Sequence, residues 1–578
     1  MTKYIHYFIY VLLSLLLPSC ADVLDRQPLD KISEKDVWND ESMMRAYVTN
    51  LYSRFPFFAF ETYSWYSITD EGTLSTGGTN AGSVSRSSEL NPFWDYQYIR
   101  DCNVFLENVT SAPINDAVKS QLEGEVRFIR AYTYFEMMKR YGGVPLVDVV
   151  IDPFSPVEKK YTQRASEETI ARFILAELDI AKELLSDNPL PRGRVNKWTA
   201  LALKARSALW AASIARYGEL ASNGFTGIPS DQATQFYTVA SQEAEEVIAA
   251  GKYSLYMDFP DDKSENYRKL FLQKNNPEVI FEKPYDGVNI GHSWDAWHAP
   301  PQWAARGGTG NPTLEFILGY ENIDGSTDQP NFDGALTLYD DGRGPFIKKD
   351  PRLFATVFFQ GDPWANGVTQ TYEGLDPSAS PDPAQVIRNP NVSYENVPAV
   401  GPDSRSIAKD DLSTNSGFLI KKYIDDAATT IPEGQSKTNW IVFRLAEMYL
   451  TKAEALFETG NKKEAAEALN YTRNRAGISL VDESTITLQK IQSERRAEFA
   501  FEAGHRFWDL RRWRIAHQIL NHRFQGLQII RHHATDKFYF IPFNCESFTR
   551  VFRQEHYYNP ITTARINNNP DLVENPLY

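Results

Sequence analysis

Apolar residues recur at helical spacing in a series of long segments, and stretches without any period separate them. The first helix predicted runs roughly from Asp40 to Arg54. From Phe93 to Glu107 a face of Trp94, Tyr98, Cys102 and Phe105 repeats at three to four residues, which predicts a helix with these four side chains in the core. Phe128, Ala131, Phe135 and Met138 mark another, which Gly142, Gly143 and Pro145 stop. Residues 166–186 supply its antiparallel partner. Residues 198–217, with Trp198, Leu201, Ala205, Ala208 and Ala212 on one side, pair with 233–250 across a loop from Ser222 to Asp231. Between Trp440 and Arg475, Ala453, Leu456, Gly460, Ala465 and Leu469 follow the small, large, turn, small, large order of a tetratricopeptide unit. Residues 488–521 predict one more pair. The fold class expected is therefore all-α: about four tetratricopeptide-like helix pairs, interrupted by a large loop-rich insert, which stack to bury a continuous core.

The densest pattern lies between Glu494 and Trp513. Ala497, Phe501, Gly504 and Phe507 share one side of a helix, and Gly504 predicts a break or a close helix contact. Glu498, Glu502, Arg506 and Asp509 fall at spacings that pair along a helix surface. Carboxylates beside arginines more often orient helices than transfer protons, so the expectation is a structural helix with a salt-bridged face.

Two stretches lack a period. Phe57 to Ser88 holds aromatics, then a Gly/Ser/Thr run from Gly77 to Ser83, and predicts an irregular exposed segment. Residues 252–438 are rich in Pro, Gly and aromatics. Within them Gly291 to Trp303 places Trp294, Trp297 and Trp303 in a loop with no amphipathic pattern to bury them. Each tryptophan alone could fill a satellite core as readily as meet a ligand. As a set they suit carbohydrate, whose apolar C–H faces pack on aromatic rings while hydroxyls bond polar side chains at the rim.

The N-terminus changes the picture of location. Lys3 precedes an apolar run from Phe8 to Leu17, too short to span a bilayer but suited to a signal peptide. The run ends Leu17-Pro-Ser-Cys20, similar to a bacterial lipobox, although Pro18 stands where a small residue is usual. Lipidation of Cys20 would anchor the mature chain to a membrane, and no later run is long and apolar enough to cross one. A net charge of −15 argues against nucleic acid, which needs clustered Lys and Arg. The remaining cysteines, Cys102 and Cys545, form no CxxC pair, and sequence leaves them free or paired. No nucleophile elbow, P-loop, dinucleotide or HExxH signature occurs. His292 and His298 lack helical metal spacing, and Asp340-Asp341 lacks the ligand spacing of a calcium loop. No metal and no cofactor is expected. Asp70-Glu71 resembles a glycosidase pair only in composition, since adjacent loop acids are usually solvated.

Three runs carry a family resemblance. Glu494 to Trp513 reads ERRxEFxFEAGxRFWDLRRW, Arg130 to Val147 reads RAxxYFxxxxxYGGVPLV, and the chain ends Asn569-Pro-Asp-Leu-Val-Glu-Asn-Pro-Leu-Tyr578. Together with Asn276–Phe281, Pro312–Ile317, Asp350–Leu353 and Gly417–Tyr423, they resemble the SusD/RagB lipoprotein family over nearly all of residues 20–578. Ile541, Glu574 and Leu577 depart from the usual ending. The resemblance implies a lipoprotein signal peptide at 1–19, a lipid-anchored tether at 20–39, an N-terminal helical region at 40–251 and a C-terminal region with insert at 252–578. It implies a non-catalytic lipoprotein of the outer membrane, facing the cell exterior, that passes a glycan to a TonB-dependent SusC-like transporter. It also implies an aromatic platform built from the early loop and the insert. By position its candidates are Trp65, Tyr66, Trp294, Trp297 and Trp303, with Asp70, Asn80 and Asp295 as polar partners. A RagB-like peptide receptor, a glycan hydrolase and a purely structural partner of the transporter are the alternatives.

Overall fold

A computed structural model describes residues 34–55, 65–75, 84–304, 306–332, 336–364, 367–407, 414–425, 432–502 and 504–578. Residues 1–19, expected to form a signal peptide, and the candidates Cys20 and Asn80 lie outside the described residues.

Helix α1 (Glu41–Ser53) starts where the Asp40 carboxylate accepts the Met43 N–H, and α2 (Tyr96–Val109) starts the same way at Asp95. Asn115 caps α3 (Asp116–Tyr141), Ser166 caps α4 (Glu167–Leu184) and Asn196 caps α5 (Lys197–Tyr217); α6 (Ala233–Ala249) follows. Each cap satisfies backbone N–H groups that a helix start leaves orphaned. Packing runs in chain order: α3 on α4, α4 on α5, α5 on α6. Alanines on α5 keep its girth small, and all of its residues from Trp198 to Ala215 except Arg206 are buried. Gly124 serves the same end on α3, since a Cβ there would lie 2.7 Å from Leu185 Cγ.

After the insert, α7 (Leu445–Glu458) packs on α6, α8 (Lys462–Ala476) on α7, and α9 (Leu488–Glu498) against both. The stack is thus continuous, although 187 residues of insert divide it in sequence between 252 and 438. The fourth pair departs from expectation. Beyond Glu498 the chain turns, Gly504 takes φ +68°, and only the short α10 (His505–Arg512) and a further turn, Ala516–Ile519, follow.

Strands bind the insert to the stack. Strand β1 (Gly72–Leu74) pairs antiparallel with β3 (Gly310–Pro312). Strand β2 (Val279–Lys283), at the insert's start, pairs antiparallel with β5 (Trp440–Arg444), at its end, and so closes its base. A hairpin of β6 (Gln525–His532) and β7 (Lys537–Asn544) adds β4 (Gly374–Asp376) in parallel. One hydrophobic core extends from Met44 on α1 through the insert residues Phe316 and Phe418 to Leu572, so both halves of the chain share it. Cys102 is buried and Cys545 half-buried, and both are free thiols. Among the described residues no helix is long and apolar enough to cross a membrane.

Candidate ligand-binding face

The charges of the Glu494–Trp513 stretch are not on a surface. Glu494, Glu498 and Glu502 are 1%, 0% and 3% exposed. Arg352 Nη1 meets Glu494 Oε1 at 2.6 Å and Glu498 Oε2 at 2.8 Å. Arg444 reaches Glu278 Oε1 and Glu502 Oε1, both at 2.8 Å. Arg475 joins Glu278 at 2.7 Å and also pairs with Glu498. Lys422 Nζ donates to Glu502 Oε1 at 2.6 Å; burial lowers its pKa to about 8 despite that partner. The expected surface pairing along one helix is therefore replaced by a buried lattice between distant segments. Sequence spacing hides it because the arginines come from the insert, β5 and α8. Unpaired, each buried charge would cost several kcal/mol, so the lattice fixes these segments relative to one another.

The early loop is clamped onto this lattice. Arg506 donates from Nε to Asp70 Oδ1 at 2.7 Å and from Nη2 to Oδ2 at 2.9 Å, and Arg496 Nη2 lies 2.8 Å from the same carboxylate. Burial alone would raise the Asp70 pKa, but the two guanidiniums override it and hold the carboxyl below the ordinary range. Glu71 accepts the Phe501 N–H at 3.0 Å, and burial pushes its pKa up to about 7. These adjacent acids face different buried partners and neither opens to solvent, so they do not form a carboxylate pair around a substrate.

Tyr66 carries the same clamp to the insert. Its ring lies edge-on to Phe501 at 5.6 Å and to Trp294 at 6.3 Å. His298 Nδ1 lies 2.8 Å from the Trp294 carbonyl, which can only accept. The other nitrogen, Nε2, must then accept the Tyr66 hydroxyl at 2.9 Å. Burial lowers the His298 pKa to about 4, in keeping with this neutral tautomer. Trp294 stacks on His298 at 4.0 Å and donates from Nε1 to the Lys422 carbonyl at 3.0 Å. His292 holds the same turn from the other side, accepting the Trp294 N–H at 3.1 Å. Both histidines are struts of the loop. Asp295 accepts the Asp425 N–H at 3.3 Å, and burial pushes its pKa up to about 7.

The structure brings the predicted early loop and insert together, then divides the candidate residues by depth. Trp65, Tyr66, Asp70, Trp294 and Asp295 are 6% exposed or less and form the support. Trp65 packs on Phe507 and Trp508 at 4.8 and 5.5 Å and lies over Gly504. Trp297 and Trp303 are half-buried and lie shallower, at the edge of the core against which Trp303 packs. The Trp297 carbonyl accepts the Thr309 N–H at 2.8 Å, which folds the loop back on itself. The Trp303 ring lies beside Gly367, where a Cβ would come within 2.7 Å of Cζ2. Trp303 Nε1 is buried and has no hydrogen-bond partner among the described residues. Polar groups that the sequence did not single out frame this edge. Asp403 accepts the Gln302 backbone N–H at 3.0 Å and its side-chain amide at 2.5 Å, and Arg306 pairs with Glu433 at 2.7 Å in an exposed position. No periodicity marks these residues, because their partners lie 101 and 127 positions away.

A family model described as "SusD family" matches residues 277–578, and a second, described as "Starch-binding associating with outer membrane", matches 28–209. The chain belongs to the SusD family. A SusD-like protein of Bacteroides ovatus is 23% identical over 612 aligned residues, which cover 98% of this chain and 95% of the relative. The starch-binding protein SusD of Bacteroides thetaiotaomicron is 24% identical over 434, covering 72% and 68%. A solved SusD-like protein from Bacteroides fragilis superposes with a TM-score of 0.73 at 26% identity, covering 96% of this chain and 100% of the other. In SusD-family terms the resemblance of the Glu494–Trp513 run is explained by the lattice: it is the part of the chain to which early loop, insert and stack are all bonded. One side chain read as core differs. Trp94 lies two residues before the first residue of α2, ahead of the Asp95 cap and off the helical face, and is only half-buried.

Proposed function

We propose that this SusD-family chain is a non-catalytic glycan receptor of the outer-membrane surface. It captures oligo- or polysaccharide on the face carrying Trp297 and Trp303 and hands it to a TonB-dependent SusC-like transporter. The observation that carries the reading is the depth sorting of the aromatics. Five candidate residues are locked beneath as a rigid support, and two indoles are left at the edge with polar groups beside them. A preorganised aromatic edge binds sugar without ordering cost, because the C–H faces of the ring find a surface already in place. The name of the starch-binding relative points to the same ligand class. Cys20 supplies the lipid anchor, and delivery requires binding and release with no bond broken.

The test is native affinity electrophoresis of the chain through a panel of polysaccharides, beside Trp297→Ala and Trp303→Ala. Retardation by one glycan, abolished in either variant, is the expected result. Retardation that survives both substitutions removes the binding face from this site. A RagB-like peptide ligand is the second reading, favoured by the exposed Arg306–Glu433 pair on the same edge. It predicts no retardation by any glycan and peptide binding that weakens with salt.

A further inference from the structure

A second cleft, of 270 Å³, lies between the start of α2 and the C-terminal segment and shares no lining residue with the tryptophan edge. Trp94, Tyr96 and Tyr161 wall it, and Arg565, Asn568 and Asn569 face them from the helix Thr563–Asn568 and the residue after it. The walls are fixed before any ligand arrives. The Trp94 and Tyr96 rings lie 5.4 Å apart, inclined at 58°. Tyr96 donates its hydroxyl to the Pro145 carbonyl at 2.6 Å. Trp94 is held edge-on by Tyr141 at 5.0 Å and by the Arg565 guanidinium 4.7 Å from its ring centre.

The charge in the cleft is already satisfied. Arg565 pairs with Glu89 at 2.6 Å, and Lys160, whose ammonium lies beside the Tyr161 ring, pairs with Glu158 at 3.2 Å, so the two cations described at the cleft already have carboxylate partners. Asn569 donates to the Thr162 carbonyl at 2.8 Å. What stays open is neutral: the Trp94 indole N–H and the Asn568 amide are bonded to no described side chain, and the Tyr161 ring faces the cleft with the Lys160 ammonium 4.7 Å from its centre. Aromatic walls beside neutral donors and acceptors match a sugar ring, with apolar faces and hydroxyl edges. The volume falls just below the roughly 300–1,000 Å³ of sites for drug-sized ligands, so it suits a single ring.

We infer that this cleft binds one neutral hexose unit, as a surface site independent of the tryptophan edge. The inference rests on the glycan reading for the class of ligand only. The probes are glucose, galactose, mannose and maltotriose, titrated into the full chain in detergent and followed by saturation-transfer NMR. Tyr161→Ala and Asn568→Ala are the informative variants, because both residues are at least partly exposed and tolerate truncation better than Trp94. Saturable binding of at least one sugar that weakens about tenfold in Tyr161→Ala, but persists in Trp303→Ala, supports the site; one lost aromatic contact of about 1.4 kcal/mol has that effect. Binding lost in Trp303→Ala and unchanged in both cleft variants overturns the cleft and leaves the tryptophan edge standing. Saturable binding by none of the four sugars also overturns it. So does loss of transporter co-purification in Tyr161→Ala without any sugar binding, which would make the cleft a protein interface.

Discussion

Replacing Asp70 by Asn tests whether the clamp between early loop and lattice is electrostatic. The substitution keeps the shape of the side chain and removes its charge. It leaves Arg506 and Arg496, at 2.7 and 2.8 Å, without their shared anion in a site that is 4% exposed. Breaking a buried pair by removing one partner costs about 3–5 kcal/mol. At about 2.1 cal/mol/K per residue, a chain of this length unfolds with an entropy of about 1.2 kcal/mol/K, so Tm falls by about 2.5–4 °C. Differential scanning calorimetry reads this directly. The pH dependence supplies a second check. The Asp70 pKa is depressed in the folded state, so its contribution is full above the unfolded value of 3.8 and fades as pH falls through the folded one. The titration of Asp70 itself should therefore leave the gap in Tm between wild type and Asp70→Asn open from about pH 8 to about pH 5 and narrow it only in strong acid, while Glu71, whose pKa the Asp70 charge helps to raise, adds a shallow slope within that window. A gap below about 1 °C at neutral pH, or one that closes already near pH 6, would refute the clamp.

Two further outcomes follow from the same region. Burial raises the Glu71 pKa from 4.5 to about 7, so the neutral acid stabilises the fold below the unfolded value and that support is lost as pH rises through the folded one. Thermal melts between those two pH values should show wild type losing stability with rising pH and Glu71→Gln losing less; parallel slopes would show that Glu71 does not titrate there. Gly504 holds φ +68° and a Cβ on it would lie 3.2 Å from the Trp65 ring, so Gly504→Ala should cost about 1–2 kcal/mol in chemical unfolding. A neutral result would mean that the turn relaxes out of the left-handed region.

Local physics made most of the helices legible. A helix buries a face whose spacing is written into consecutive residues, and the chain's caps (Asp40, Asn115, Ser166, Asn196) lie next to the helices they start. The hairpin from Gln525 to Asn544 was not legible, since its run from Phe538 to Phe543 lacks the strict alternation of a half-buried strand. The strand pair that closes the insert joins residues more than 150 positions apart, and no local pattern encodes such a partner.

The sequence alone determined the family resemblance, the helical stack and the two segments that meet at the candidate face. These depend on short-range periodicity and on runs long enough to be specific. Tertiary structure decided depth. Trp65 and Trp303 look alike in composition of their surroundings, yet Trp65 is covered by Phe507 and Trp508 from more than 440 residues away while Trp303 stays at the edge. It likewise turned a row of glutamates spaced for a helix surface into a buried lattice, because the guanidiniums of Arg352, Arg444 and Arg475 arrive from other elements. Burial is a property of which distant groups converge on a side chain, and a linear pattern carries no record of that convergence.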